Sequence, residues 1–278
     1  MILDGKKEAA LLREGIKKEI LEIKKKIDKS PGLSVILIGN FAPSQIYVKN
    51  KEKKTKEVGI ISEVIKYSEK VKESEILERI EELNNKESVS GILVQLPLPA
   101  HINKEKIINA IKPSKDVDGF HPSNVGNLSL GYRSIVPCTP LGCLLLIKKV
   151  EKNLTGKHAV IIGRSNLNGK PMAQLLLKEN CTVSIVHSKT KDLKSECQKA
   201  DILVAAVGVA NLVKEDWVKK DSIIIDVGIN KVADKIVGDV DFEKVKDKVR
   251  AITPVPGGVG PMTIACLLRN TLECFKAR

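Results

Sequence analysis

Short apolar runs alternate with amphipathic segments along nearly the whole chain, and no other feature restricts the fold as much. "LSVILIG" (33–39), "GIISEVIKY" (59–67) and "SGILVQLPLP" (90–99) read as strands bounded by glycine or proline. Between and around them lie helical patterns. Leu12, Ile16, Ile20, Ile23 and Ile27 recur at spacings of three and four, and Pro31-Gly32 ends that helix. The lysine-rich "SQIYVKNKEKKTK" (44–56) follows the first strand, with Ser44 placed to cap it. "SEILERIEELNNK" (74–86) carries Ile76, Ile80 and Leu83 on one face, and "NKEKIINAIKP" (103–113) is a shorter helix. Strands that alternate with helices need crossovers, and right-handed crossovers give a parallel sheet covered on both faces. The first half is therefore expected to be a three-layer α/β domain.

The pattern breaks at "HPSNVGNLSLGYRSIVPCTP" (121–140), rich in turn residues, which reads as the domain junction. A buried helix, "LGCLLLIKKV" (141–150), follows it. A second strand–helix series then begins with "HAVIIGRSNLNGKPMAQLLLKEN" (158–180). "CTVSIVHS" (181–188), "DILVAAVG" (201–208) and "SIIIDVGIN" (222–230) continue it as strands. "KIVGDVDF" (235–242) is expected to form a hairpin arm. "AITPVPGGVGPMTIACLLRNTLECF" (251–275) gives a strand, a proline–glycine loop and a long helix. A chain of 278 residues fits two domains of about 150 residues each. Ligands of such sheets bind beyond the carboxyl ends of the strands, which directs attention to "GNFAPS", "QLPLP" and "KDVDGFHP".

Composition narrows the partners. The net charge is +13, which raises nucleic acid as a partner class. Against it, lysines interleave with glutamates along the helices, and only 3% of residues are aromatic, too few for base-stacking platforms. Attraction of a polyanionic small molecule accounts for the same charge. The six cysteines include no C-x-x-C pair, so neither a metal site nor a disulfide framework is expected, and the thiols read as reduced and mostly buried. There is no signal-peptide pattern at "MILDGKKEAALLREG" and no apolar run of membrane-spanning length. The expectation is a cytoplasmic protein with no membrane and no nucleic-acid partner.

The turn "GRSNLNGKP" (163–171) sits between an apolar strand and a helix, with Gly163 ending the one and Gly169 opening the other. A dinucleotide pyrophosphate rests in such a setting, although the spacing is not G-x-G-x-x-G. A plain strand-to-helix turn explains the segment equally well. NAD sites usually carry Asp or Glu about 20 residues on, at the adenosine ribose. Here the next strand ends in "VHSKT" (186–190), without a carboxylate. Arg164, Ser165 and Lys189 are suited to a 2′-phosphate, so the segment favours NADP over NAD.

Seven motifs occur in one order: "YVKNK" (47–51), "VQLPLP" (94–99), "KDVDGF" (115–120), "PCTP" (137–140), "GRSNLNGKP" (163–171), "DVGIN" (226–230) and "PVPGGVGPMT" (254–263). Together the chain resembles the bifunctional methylenetetrahydrofolate dehydrogenase/methenyltetrahydrofolate cyclohydrolase family over almost its whole length. The resemblance implies oxidation of 5,10-methylenetetrahydrofolate to the 5,10-methenyl cation with NADP+, and hydrolysis of that cation to 10-formyltetrahydrofolate, within one-carbon metabolism. It also implies a folate-binding catalytic domain over 1–136, completed by the C-terminal helix 262–278. A Rossmann NADP-binding domain over 137–261, a cleft between the two and a homodimer come with it. Carried over by motif, Lys51 is the catalytic lysine, Tyr47 the aromatic wall of the folate pocket, and Gln95 the partner of Lys51. Asp118 holds the pterin. Leu96, Pro97, Gly258 and Pro261 shape the folate side. Gly163, Arg164, Ser165, Gly169, His187, Ser188 and Ile229 face the cofactor.

Chemistry gives these assignments independent sense. Tyr47 and Lys51 are four apart, so a helix puts them on one face. Desolvation near a cationic intermediate lowers a lysine pKa toward the range where it can move protons. Asp118 can accept two hydrogen bonds from a pterin amino edge. Taken singly, Lys51 reads as a solvated lysine, Asp118 as a turn residue, Gln95 as a strand cap and the glycine loop as a helix entry. The chain departs from the family pattern at Asn168, Val186 and "GVAN" (208–211), all on the cofactor side. A member that keeps only one of the two activities, and a basic nucleic-acid-binding protein, are the alternatives.

Overall fold

The computed structural model describes all 278 residues. The chain divides into two compact units, residues 11–136 with 267–278, and residues 1–10 with 137–266. The N-terminal boundary expected at residue 1 therefore moves to residue 11. The reason lies in the apolar start of the chain. Ile2 bridges Ile252 in parallel, Leu3 N–H donates to the Ile252 carbonyl at 2.8 Å, and Ile252 N–H donates to Met1 at 3.0 Å. The first residues thus extend the edge of the second unit's sheet.

The first unit contains most of α1 (Gly5–Ile27), then β1 (Gly32–Ile38), α2 (Ala42–Val58), β2 (Ile61–Tyr67), α3 (Glu73–Asn85), β3 (Gly91–Val94), α4 (Lys104–Ala110) and α5 (Pro122–Ser129). Its sheet is parallel with order β2-β1-β3. Every residue of β1 is buried, so both faces of this central strand are covered. One face packs Ile36, Ile38, Ile92 and Val94 against Ile76, Ile80 and Leu83 of α3 and Ile107 of α4.

Three local expectations change in this unit. Ser44 does not cap α2: the helix begins earlier, with Phe41 at the cap position and proline in the first turn, and Ser44 is buried inside it. The third strand stops at Val94 instead of running through 99. Gln95 makes one last ladder bond, N–H to Ile36 carbonyl at 2.9 Å, and Pro97 and Pro99 have no N–H to continue it. The turn-rich junction contains α5, which the composition hides. Pro122 opens that helix and the His121 ring accepts from Ser123 N–H at 3.1 Å, which stabilises the first turn.

The second unit runs α6 (Cys138–Val150), β4 (His158–Ile162), α7 (Gly169–Lys178), β5 (Thr182–Val186), α8 (Leu193–Gln198), β6 (Ile202–Ala205), β7 (Ile223–Asp226), β8 (Asn230–Val232), β9 (Lys235–Val237), α9 (Phe242–Val245), β10 (Ala251–Ile252) and the start of α10 (Val259–Lys276). Its sheet is parallel with order β10-β7-β6-β4-β5, a doubly wound Rossmann arrangement. The order reverses between β4 and β6, which defines the crevice for a ligand. The hairpin exists but lies earlier than expected: Asn230–Val232 pairs antiparallel with Lys235–Val237, so residues 238–242 belong to the return path. The turn is carried by Ala233 at φ 49. The last helix starts at Val259 rather than 262, and its residues from 267 onward belong to the first unit. There Asn270 donates to the carbonyls of Val117 and Val136 at 2.9 and 2.8 Å.

Candidate active site

Helix α2 places Tyr47 and Lys51 one turn apart, and the side chains meet. The Lys51 Nζ lies 5.2 Å from the Tyr47 ring centroid, within cation–π range. Lys51 is only 6% exposed, in a helix whose other lysines are mostly in solvent. Its Nζ donates to Gln95 Oε1 at 3.0 Å. Gln95 follows β3, and its own Nε2 donates to the Leu96 carbonyl at 2.7 Å, which turns the amide oxygen toward the lysine. Gln95 is a neutral amide, so this contact orients the amine without itself bringing a charge. Thr55, one turn on, donates from Oγ1 to the Lys51 carbonyl at 2.6 Å. The Leu96–Pro97 peptide is cis, and Pro97 is exposed at the strand's end.

Asp118 stands on a loop built by its neighbour. Asp116 is 3% exposed; its Oδ1 accepts from Gly119 N–H at 3.0 Å and its Oδ2 from His121 N–H and Asn124 Nδ2 at 2.8 and 3.0 Å. Burial raises the Asp116 pKa, and the hydrogen bonds oppose that shift. Val117 is buried against Gly91, where any side chain would strike it at 2.2 Å. Gly119 closes the turn at φ 71. Asp118 is left half-buried and lines a depression with Leu96, Leu98 and Phe120. The turn-forming role suggested by "DVDG" thus belongs to Asp116, which the sequence reading passed over. Its signal was the carboxylate three residues before a glycine.

In the second unit the glycine turn is closed tightly. Gly163 has φ 118, and a Cβ there would lie 2.5 Å from the Ala206 carbonyl oxygen. A Cβ at Gly169 would lie 2.1 Å from the Gly163 carbonyl oxygen. Gly163 N–H donates to Val186 carbonyl at 2.8 Å, and Lys170 N–H to Ser165 carbonyl at 3.1 Å. Ser165 Oγ accepts from Asn168 N–H at 3.1 Å, so Asn168 takes part in the turn through its backbone. Arg164 and Ser165 are exposed, and no acidic residue occupies the first turn of α7. After β5, His187 N–H donates to Thr190 Oγ1 at 3.0 Å and Lys189 N–H to His187 Nδ1 at 3.2 Å, leaving Ser188 and Lys189 exposed. A helix N-terminus, a guanidinium, hydroxyls and a lysine, without a carboxylate, form a donor set that fits the phosphates of NADP. Ile229 is 62% exposed just beyond β7.

Gly258 and Pro261 also lie in the second unit, in the loop and first turn of α10. Gly258 is buried with no room for a side chain: a Cβ would lie 2.6 Å from the Pro254 carbonyl oxygen. Pro261 is half-buried. The residues that sequence reading missed on this side are Asp226 and Asp239, both buried beneath the loops that follow β6 and β7.

Residues 3–118 match the tetrahydrofolate dehydrogenase/cyclohydrolase catalytic domain, and residues 137–278 match the NAD(P)-binding domain of the same family. The chain is 70% identical to the bifunctional protein FolD of Pelagibacter ubique over 276 residues, 99% of this chain and 98% of that one. It is 51% identical to the bifunctional FolD methylenetetrahydrofolate dehydrogenase/cyclohydrolase of Campylobacter jejuni, with a TM-score of 0.98 over 100% of this chain and 99% of that crystal structure. The Trypanosoma brucei methylenetetrahydrofolate dehydrogenase-cyclohydrolase, solved with NADP and an inhibitor, is 36% identical, with a TM-score of 0.96 over 100% and 97% of the two chains. The chain belongs to the tetrahydrofolate dehydrogenase/cyclohydrolase family.

Proposed function

We propose that this protein oxidises 5,10-methylenetetrahydrofolate to 5,10-methenyltetrahydrofolate with NADP+, and hydrolyses the methenyl compound to 10-formyltetrahydrofolate. The observation that carries the reading is the buried Lys51, held at 3.0 Å by Gln95 and at 5.2 Å by the Tyr47 ring, in a chain that matches this family from end to end. When bound, NADP+ supplies the hydride acceptor. The protein's part in that step is placement: Tyr47 backs the folate ring, Asp118 accepts from its amino edge, and Leu96 and Pro97 bound the pocket. Arg164, Ser165, His187 and Ser188 hold the adenosine end of the cofactor, and Gly163 and Gly169 let the chain approach the phosphates. Gly258 and Pro261 serve the folate, and Ile229 serves the cofactor.

In the second step water adds to the methenyl carbon and loses a proton, giving a neutral carbinol; the bond from that carbon to N5 then breaks, N5 taking up a proton as the carbinol hydroxyl gives up its own and becomes the formyl oxygen. Lys51 moves the proton. Gln95 fixes the direction of its amine, and the cationic substrate favours the neutral amine. The natural substrates carry glutamate tails, which suit the surplus of lysine. The working protein is a homodimer in the cytoplasm, where the six buried thiols stay reduced.

The test is an assay of methylenetetrahydrofolate with NADP+ or NAD+, following reduced cofactor and methenyl compound separately. Lys51→Gln keeps much of the side chain's size but cannot take a proton. It is expected to lower methenyl hydrolysis about 10²–10⁴-fold while folate still binds, so that methenyl compound accumulates. Lys53→Gln, on the exposed face of the same helix, is expected to match the unmodified protein. Normal hydrolysis by Lys51→Gln, or equal loss in Lys53→Gln, would remove Lys51 from the mechanism.

A further inference from the structure

Two buried carboxylates beneath the crevice of the second unit have no part in the chemistry above. Asp239 has no exposed surface. Its Oδ2 accepts from Val207 N–H at 2.7 Å and Gly208 N–H at 3.0 Å; its Oδ1 accepts from Val209 N–H and Asn230 Nδ2, both at 2.9 Å. Asp226 supports it from below, accepting from Asp239 N–H and Val240 N–H at 2.9 Å and from Gly228 N–H at 3.0 Å. The glycines of "DVGIN" and "VGDV" make room for these groups. A Cβ at Gly228 would lie 2.1 Å from Asp239 Oδ1, and one at Gly238 would lie 1.8 Å from Asp226 Oδ2.

Three successive N–H groups aimed at one point form a nest, which elsewhere binds phosphate. Here a side chain of the protein fills it, so this loop is closed to the phosphates and the glycine turn must hold them. The loop continues β6 along the crevice wall that faces the glycine turn. Ala206 N–H donates to the Ile162 carbonyl at 2.9 Å, and the Ala206 carbonyl is the atom that a side chain at Gly163 would strike. A dinucleotide across such a crevice puts its adenosine ribose by the second strand of the series, here β5. Its nicotinamide half then falls toward β6 and β7, over the 207–209 loop and Ile229.

We propose that Asp239 is a positioning residue for the dehydrogenase step. Its carboxylate fixes residues 207–209 and, through Asn230, the backbone next to Ile229, as the surface against which the nicotinamide half of the cofactor rests. The proposal rests on the reading that NADP+ is the hydride acceptor.

The test compares binding of NADP+ and of adenosine 2′,5′-bisphosphate, which lacks the nicotinamide half, by calorimetry on the full-length protein. Asp239→Asn turns one acceptor into an NH2 group facing amide donors. It is expected to raise the Kd for NADP+ about tenfold or more, and to leave the bisphosphate within about twofold. The KM for NADP+ rises with it, while methenyl hydrolysis without NADP+ stays within about twofold. Asn230→Ala deletes one of the four hydrogen bonds and is expected to shift NADP+ about threefold in the same direction. Equal weakening of both ligands and both activities would mean a purely structural role and would overturn the proposal. So would unchanged NADP+ binding in the variants, and Asn230→Ala decides alone if Asp239→Asn does not fold. A wild-type protein that fails to bind NADP+ overturns the cofactor reading, and the Asp239 proposal with it.

Discussion

Arg164 is the residue proposed here to set cofactor choice. It is exposed at the mouth of the glycine turn, and the end of β5 offers His187, Ser188 and Lys189 but no carboxylate. A hydrogen bond to a charged group contributes roughly 1.5–3 kcal/mol, so Arg164→Ala is expected to raise the KM for NADP+ about 10–100-fold and that for NAD+ only a few-fold. Equal effects on both cofactors, or a native preference for NAD+, would remove Arg164 from the 2′-phosphate. Legibility at this scale followed the distance between partners. The Tyr47–Lys51 pair is set by helix spacing and could be read from four residues. The Lys51–Gln95 contact spans 44 positions and became visible only through motif order. Asp239 escaped because its partners are mainly backbone N–H groups, which leave no pattern of residue types, and Asp116 because its one signal, the glycine three residues on, was assigned to the wrong aspartate.

At the scale of elements, periodicity located the strands of both sheets, because buried parallel strands are continuous runs of Ile, Leu and Val. It failed where backbone chemistry sets the limits. Proline stopped β3 early, a histidine cap made α5 in a turn-rich segment, and the hairpin moved toward Asn230 because Asp226 ties down residues 239 and 240. That tie has a pH signature. Burial, reinforced by the neighbouring Asp239, pushes the Asp226 pKa from 3.8 up to about 7, against the three backbone N–H groups that favour its charged form. Between about pH 4 and 7 the folded protein therefore holds a proton that the unfolded chain has lost. The associated stability is full below pH 4, declines as pH rises through the window, and is gone above about pH 7, by at most roughly 4 kcal/mol. Urea unfolding from pH 5 to pH 8 should show this decline, and Asp226→Asn should flatten it. Other buried acids, Asp116 among them, contribute to both proteins alike, so the difference between the two slopes carries the prediction. Identical slopes would mean that Asp226 keeps an ordinary pKa.

For the whole molecule, two features of the surface bear on assembly. The net charge of +13 draws polyanionic ligands but repels a second copy of the chain, so an interface needs a local apolar contact to offset it. The hairpin of β8 and β9 offers one. An isolated two-stranded ribbon is marginal in water, and this one exposes Val232 at 47% and Ile236 at 41%. Its outer edges present unpaired backbone groups that a partner strand can take. Its base is braced by Asn230 on Asp239, so the arm is held in place before any partner arrives. A charge at Ile236 would have to be desolvated on assembly at a cost of several kcal/mol, enough to raise a dimer dissociation constant by more than about tenfold. Sedimentation at micromolar concentration should therefore give a dimer for the unmodified protein and a shift toward monomer for Ile236→Glu, with Val237→Glu shifting less because that side chain is already half-buried. Methenyl hydrolysis should persist in the monomer, since Tyr47, Lys51, Gln95 and Asp118 all belong to the first unit of one chain. A monomeric unmodified protein, or a dimer indifferent to glutamate at both positions, would place the interface elsewhere or nowhere.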